Sequence, residues 1–223
     1  MIEWVPFLPI WNSNGSHKMG RKSPKSKRKI AAQSKRALKK KLHIFCEGAV
    51  TETLYFREMA RFQREFVIDF VSTGKIPKTL FDEALAYLKL INKSRTGYSE
   101  HDQVWLIFDR DSHDHVSEVI NNARSHGIHV AYSNPCFEVF LLYHFQDYDA
   151  DEDRSRVKAK LAGICTEYCS KKCKLNSANE VVNLRADAIA RSKRSLVSRA
   201  NEGTEMGAPS STAHLLIEAL KLS

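Results

Sequence analysis

Apolar residues along this chain fall into short continuous runs separated by stripes of helical period. Leu42-His43-Ile44-Phe45-Cys46, Phe66-Val67-Ile68-Asp69-Phe70-Val71, Val104-Trp105-Leu106-Ile107-Phe108 and Ile128 to Tyr132 are rich in aromatic and β-branched side chains and read as strands. Between them, Tyr55, Met59, Phe62 and Phe66 recur at helical spacing and predict a helix over 52–64, with Thr51 as N-cap and Glu52 in the dipole-favoured first turn. Phe81, Ala84, Leu85, Leu88 and Ile91 share one face of a helix opened by Pro77. Val116, Val119, Ile120 and Ala123 mark a third helix, ended by Gly127. Strands alternating with helices over short connections imply parallel β-α-β units. The expected class is therefore α/β: a Rossmann-like sandwich with a mainly parallel central sheet of about four strands, flanked by helices.

The pattern changes after the fourth strand. Ser133-Asn134-Pro135 reads as a turn in which Ser133 or Asn134 caps a helix, Val139 to Phe145, that is apolar nearly all round and so packs deep. Gln146 to Arg156 is acidic and loop-like. Val157, Leu161, Ile164 and Tyr168 then predict a helix, Val181 to Leu196 another, and Ser210-Ser211-Thr212 a cap for a closing helix carrying Leu215, Leu216, Ala219 and Leu220. Residues 42–148 are thus the expected α/β core and 149–223 a helical C-terminal extension packed on it. Cys165, Cys169 and Cys173 would line one face of the first of these helices. Spread over about 12 Å, three such thiols cannot share one ion, so they read as structural.

Composition adds a location and a partner. Of 223 residues 43% are apolar, enough for a real core, yet no apolar run approaches the ~20 residues that span a bilayer. The first twenty residues lack the basic start and continuous apolar stretch of a secretory signal. A cytoplasmic protein, not a membrane one, with its five cysteines reduced, is expected. Residues 1–43 carry twelve Lys and Arg against one acid, a net charge of +11, whereas residues 44–223 sum to −2. Residues 1–41 therefore read as a disordered basic arm, with 1–18 an upstream extension ahead of a second start at Met19. Arg21, Lys22, Lys25, Lys27, Arg28, Lys29, Lys39, Lys40 and Lys41 are its candidate contacts to nucleic-acid phosphates. The bland alternative is a solubilising tail. A dense cationic run beside a carboxylate site favours nucleic acid, because it recruits a polyanion to that site.

The carboxylates supply the chemistry. Asp109 and Asp111 follow the run that ends at Phe108, and ligands of open α/β sheets bind beyond the carboxyl ends of the strands. On an extended backbone the two point the same way, roughly 7 Å apart at Cα. Brought to about 5 Å, two carboxylates repel by ~3 kcal/mol at an effective dielectric of 20, which calls for a neutralising charge. Mg²⁺ suits such hard oxygen ligands; a solvated strand end paired with its own Arg110 is the plain alternative. Glu47, with Gly48 turning the chain behind it, ends the first strand and can converge on the same cleft. Glu138 opens the apolar helix, either as a dipole-favouring acid or as a further carboxylate of the site. His113 and His115 read as loop residues within reach of it.

Cys46-Glu47-Gly48-Ala49-Val50-Thr51-Glu52, followed by Phe108-Asp109-Arg110-Asp111, resembles the Toprim catalytic core, in which a glutamate after the first strand and a D-x-D after a later one build a Mg²⁺ site. The block Ser133 to Phe145, the segment Pro209-Ser210-Ser211-Thr212-Ala213-His214 and the basic arm before the first strand are similar to RloB-like proteins, over roughly residues 20–220. The resemblance implies a Toprim-type nuclease of bacterial restriction loci, acting in anti-phage defence and often accompanied by a separately encoded ATPase. It places Glu47 as general acid/base, Asp109 and Asp111 with Glu47 at a metal site for Mg²⁺ or Mn²⁺, and Glu138 at the family's own carboxylate position. Arg110, between the aspartates, joins the nucleic-acid contacts, and DNA, RNA including tRNA, and a homo-oligomeric state stay open. Two departures stand out: Ala49-Val50 occupy positions where relatives often carry polar or basic residues, and the cysteine-rich segment has no counterpart. Two rivals remain. A haloacid-dehalogenase-type phosphohydrolase also uses D-x-D, but usually has Thr or Val where this chain has His113. A non-catalytic nucleic-acid sensor would bind without turnover.

Overall fold

In the computed structural model the described residues are 39–93, 102–110, 113, 115–169, 171, 172 and 174–221. The arm residues Arg21, Lys22, Lys25, Lys27, Arg28 and Lys29, together with Asp111 and Cys173, lie outside them. Four parallel strands carry the fold: β1 (Lys40–Cys46), β2 (Phe66–Thr73), β3 (Gln103–Asp109) and β4 (His129–Asn134). Because successive side chains of a strand point to opposite faces, β1, β3 and β4 each feed two cores, whereas the edge strand β2 leaves Val67 and Val71 exposed on its second face. Leu42, Ile44, Cys46, Trp105, Ile107 and Ala131 pack on α1 (Thr51–Ala60) and α4 (Glu138–Phe145). Their neighbours Phe45, Val104, Leu106, Phe108, Val130 and Tyr132 pack on α2 (Pro77–Lys93) and α3 (Val116–Ser125). The first face is the thicker one. It also receives α5 (Arg154–Ile164), α6 (Asn179–Asn183), α7 (Arg185–Asn201) and α8 (His214–Ala219), which seal the buried α4.

The sheet has five strands in the order β2-β1-β3-β4-β7, where β7 (Ser210–Ser211) runs antiparallel to β4. Ser210 to Thr212 were expected to cap a helix and instead cover the edge of β4. Ser133 and Ser211 hydroxyls bond at 2.8 Å and the Tyr132 N–H donates to Thr212 Oγ1 at 2.9 Å, so pairing with an exposed edge outcompetes capping. α8 starts at His214, after Ala213.

Three local expectations need correction. α1 starts at Thr51 and stops at Ala60: Val50 holds the cap position, Thr51 Oγ1 accepts the Leu175 N–H, and Phe62 is left 47% exposed. α4 starts at Glu138 with Phe137 before it and no side-chain cap, while Asn134 ends β4. The cysteine stripe is not helical. α5 ends at Ile164, Cys165 is extended, and β5 (Tyr168–Cys169) with β6 (Lys174–Leu175) forms a hairpin buried on α1 through Leu175. Among the described residues no helix is long and apolar enough to cross a membrane.

Candidate active site

The order of the strands creates a crevice. β1 leads through α1 to β2 on one face, and β2 leads through α2 on the other face to β3, so the connections diverge between the adjacent strands β1 and β3. At such a switch point the carboxyl ends of the strands leave a cleft for a ligand. Glu47 follows β1 and Asp109 ends β3. The Glu47 N–H donates to Ile107 O at 2.8 Å, and the Asp109 N–H donates to Glu47 Oε2 at 3.1 Å, so the backbone of each strand positions the carboxylate of the site. His113 Nε2 bonds the other oxygen, Glu47 Oε1, at 2.8 Å. Of the two histidines in this loop, His113 is only 19% exposed and touches the site, whereas His115 is 81% exposed and faces Glu118.

Two further carboxylates complete the cluster. Glu52, in the first turn of α1, folds back over Gly48: a Cβ at that glycine would lie 1.8–2.0 Å from the Glu52 carboxylate atoms, so a side chain there would displace the carboxylate. Burial, then the charges of Glu138 and Glu47, push the Glu52 carboxyl up to about 7. Glu138 is buried, accepts the Tyr168 hydroxyl at 2.9 Å and faces Lys158 Nζ at 3.8 Å. Asp109 is buried too, and its carboxyl is raised well above the usual carboxylate range by burial first and by Glu52 next, with Arg154 opposing. Arg154 is ion-paired to Asp109. Arg154 and Lys158 stand one turn apart on α5 and therefore share a face, and that face is turned to the carboxylates. Burial also pushes up the thiols of Cys46 and Cys136, with Glu52 and Glu138 respectively adding to the effect, so neither is a ready nucleophile.

Four carboxylates thus meet two cations. Together they shift the protonation of Glu52 and Asp109, although among the described residues no three His, Cys, Asp or Glu side chains already converge as a metal cage. A set of four carboxylates that, once ionised, outnumbers the charges of Arg154 and Lys158 fits a hard divalent cation.

The structure brings together Glu47, Asp109 and Glu138 of the residues expected from sequence, and adds Glu52, His113, Arg154, Lys158 and Tyr168. Arg110 turns toward the C-terminal loop, where its guanidinium binds Met206 O. It lines, with His113, Asn134 and Asp151 to Asp153, a cavity of about 470 Å³ beside the cleft. Lys39, Lys40 and Lys41 are elsewhere: they sit at the amino end of β1, roughly 20 Å along the strand from Glu47, with Lys40 over the Phe66 ring. Glu52 was readable as an acid five residues beyond Glu47, and Arg154 with Lys158 as a basic i,i+4 pair.

Comparison with known proteins adds one match. The sequence model of a family described as RloB-like protein matches residues 42–220. No curated protein and no solved structure matches the chain.

Proposed function

The chain belongs to the RloB-like family, and we propose that it is a cytoplasmic, Toprim-type metal-dependent nuclease that hydrolyses phosphodiesters of DNA or RNA in bacterial anti-phage defence, in concert with an ATPase partner. The observation that carries this reading is the convergence of Glu47 and Asp109, with Glu52 and Glu138, at the switch point between β1 and β3. Asp109 with Glu47 and Asp111 would hold Mg²⁺ or Mn²⁺, which supplies Lewis-acid polarisation of a scissile phosphate when bound. Glu47 takes a proton from the attacking water or returns one to the leaving oxygen, and His113 at 2.8 Å keeps its carboxylate aimed. Arg154 and Lys158 offset the carboxylate charge, and in this reading they would meet the phosphate oxygens as negative charge develops. Glu52, with its raised carboxyl, stores a proton within the cluster. The net charge of +11 on residues 1–43 supports a polyanionic substrate.

The Arg154–Asp109 pair favours one second reading, since a carboxylate already satisfied by guanidinium also suits a non-catalytic nucleic-acid sensor. Cleavage of plasmid DNA, single-stranded DNA, total RNA and tRNA with Mg²⁺, Mn²⁺ or EDTA separates the two. The nuclease reading expects metal-dependent cleavage that is lost in Glu47→Ala and Asp111→Asn. Binding without turnover across the panel, in the presence of an ATPase partner as well, supports the sensor and rejects the nuclease.

A further inference from the structure

We propose that the groove between α1 and the β5–β6 hairpin is the track along which the nucleic-acid backbone leaves the cleavage point, an inference that rests on the nuclease reading. The groove encloses about 460 Å³ and is lined by Ala49, Val50 and Arg57 from the β1–α1 segment and by Lys172 and Lys174 from the hairpin, with no carboxylate in its wall among the described residues. Residues 44–223 as a whole carry net negative charge, so three cations gathered without an acid run against the background. Their surroundings differ from those of several other cations on this surface. Arg61, Lys75, Lys160, Lys193 and Arg194 are each paired with a carboxylate, whereas Arg57, Lys172 and Lys174 are exposed and have no carboxylate partner among the described residues. Arg57 rests its guanidinium over the Phe70 ring, 5.2 Å from its centre, which aligns the side chain without consuming its charge.

The groove starts two residues along the chain from the carboxylate crevice. Glu47 and Ala49 are two residues apart, so their Cα atoms are within ~7.6 Å, one facing the crevice and the other the groove. Thr53 Oγ1 donates to Ala49 O at 3.0 Å and to Val50 O at 2.9 Å, which fixes that loop. The hairpin is tied to both sites: the Tyr168 hydroxyl donates to Glu138 Oε1, and the Leu175 N–H donates to Thr51 Oγ1. The cysteine-rich segment, which found no role in the sequence, thus becomes the scaffold that carries lysines to the apolar Ala49-Val50 loop. Point charges on an apolar floor recognise phosphates and not base edges, so the contact is sequence-independent.

The test is equilibrium binding of a labelled single strand and a labelled duplex to the full chain in EDTA, across a salt series. The groove variant Arg57→Ala/Lys172→Ala/Lys174→Ala is compared with Lys89→Ala/Lys93→Ala/Arg124→Ala, which removes three exposed cations from α2 and α3 on the opposite face. The groove variant should bind at least about tenfold more weakly at low salt, and its slope of log K against log salt for the single strand should be shallower by about 2. The opposite-face variant should stay within about twofold of the parent, and both variants should keep the parent's thermal midpoint. Equal binding by the groove variant and the parent overturns the groove while leaving the nuclease reading intact. A parent that binds neither strand overturns both.

Discussion

The helix α4 has two buried polar ends, and they are built on opposite terms. At its carboxyl end His144 bonds Phe140 O at 3.0 Å and the Tyr55 hydroxyl at 2.9 Å, and Arg191 donates to the carbonyls of Tyr143 and His144 at 2.7 and 3.0 Å. Every polar group there has a neutral or complementary partner, as a core demands. At its amino end Glu138 joins Glu52, Asp109 and Glu47 in a cluster whose burial and mutual repulsion raise Glu52 and Asp109. Satisfied polarity specifies a fold, whereas mutually repelling carboxyls gathered in a cleft mark a site that waits for a ligand.

Substitutions at the two ends should therefore part activity from stability. Asp109→Asn should reduce cleavage by at least about 10³-fold while leaving the thermal midpoint unchanged or higher, because it removes a carboxylate that burial disfavours. A large drop in the midpoint would place Asp109 with the structural end instead. His144→Ala should do the reverse, costing about 3 kcal/mol of stability through a cavity and an orphaned Tyr55 hydroxyl, with kcat of the folded protein unchanged. Urea titrations read the first number and steady-state kinetics the second.

The pH dependence sharpens the contrast because the two ends have slopes of opposite sign. For His144, burial lowers the folded value to about 3 from an ordinary 6.5. The unfolded chain therefore binds the extra proton between those limits, and this contribution to stability rises with pH and is complete above about 6.5. For Glu52 the folded value is raised to about 7 from 4.5, the folded chain binds the extra proton, and stability falls as pH climbs through that window. In EDTA, Glu52→Gln should thus be more stable than the parent by about 3 kcal/mol at pH 8 and nearly equal to it near pH 4.5, measured by urea unfolding at each pH. A difference that grows toward acid would reverse the sign. The smallest effect expected is that of Tyr168→Phe, about 1 kcal/mol from the lost hydroxyl bond to Glu138, seen in the same titrations.

Much of the fold and of the carboxylate end was legible in the sequence, and the reasons the reading was not complete are physical. The four apolar runs became β1 to β4, and the strand-end rule led directly to Glu47 and Asp109. Strand period and helix period are properties of neighbouring residues. Glu52 was read as an acid complementing a helix dipole, because its burial is created by Gly48 and by a hairpin more than a hundred residues away. Arg154 was placed in a loop since the acids before it dominate the stretch. In fact Asp153 caps α5 there, its side chain accepting the Ser155 and Arg156 N–H groups at 2.8 and 3.1 Å. The helical spacing of Cys165 and Cys169 misled for a third reason. Hairpin packing on α1 outweighs a periodicity that few residues support.

The central claim, that the amino end of α4 belongs to a metal site, is tested most directly by calorimetric titration of Mn²⁺ into the full chain near pH 7, in two buffers of different ionisation enthalpy, beside Asp109→Asn and Glu47→Gln. The account predicts binding by the parent accompanied by proton release, since the raised carboxyls must ionise, and at least about tenfold weaker binding in each variant. Heats that are the same in the parent and both variants would contradict it.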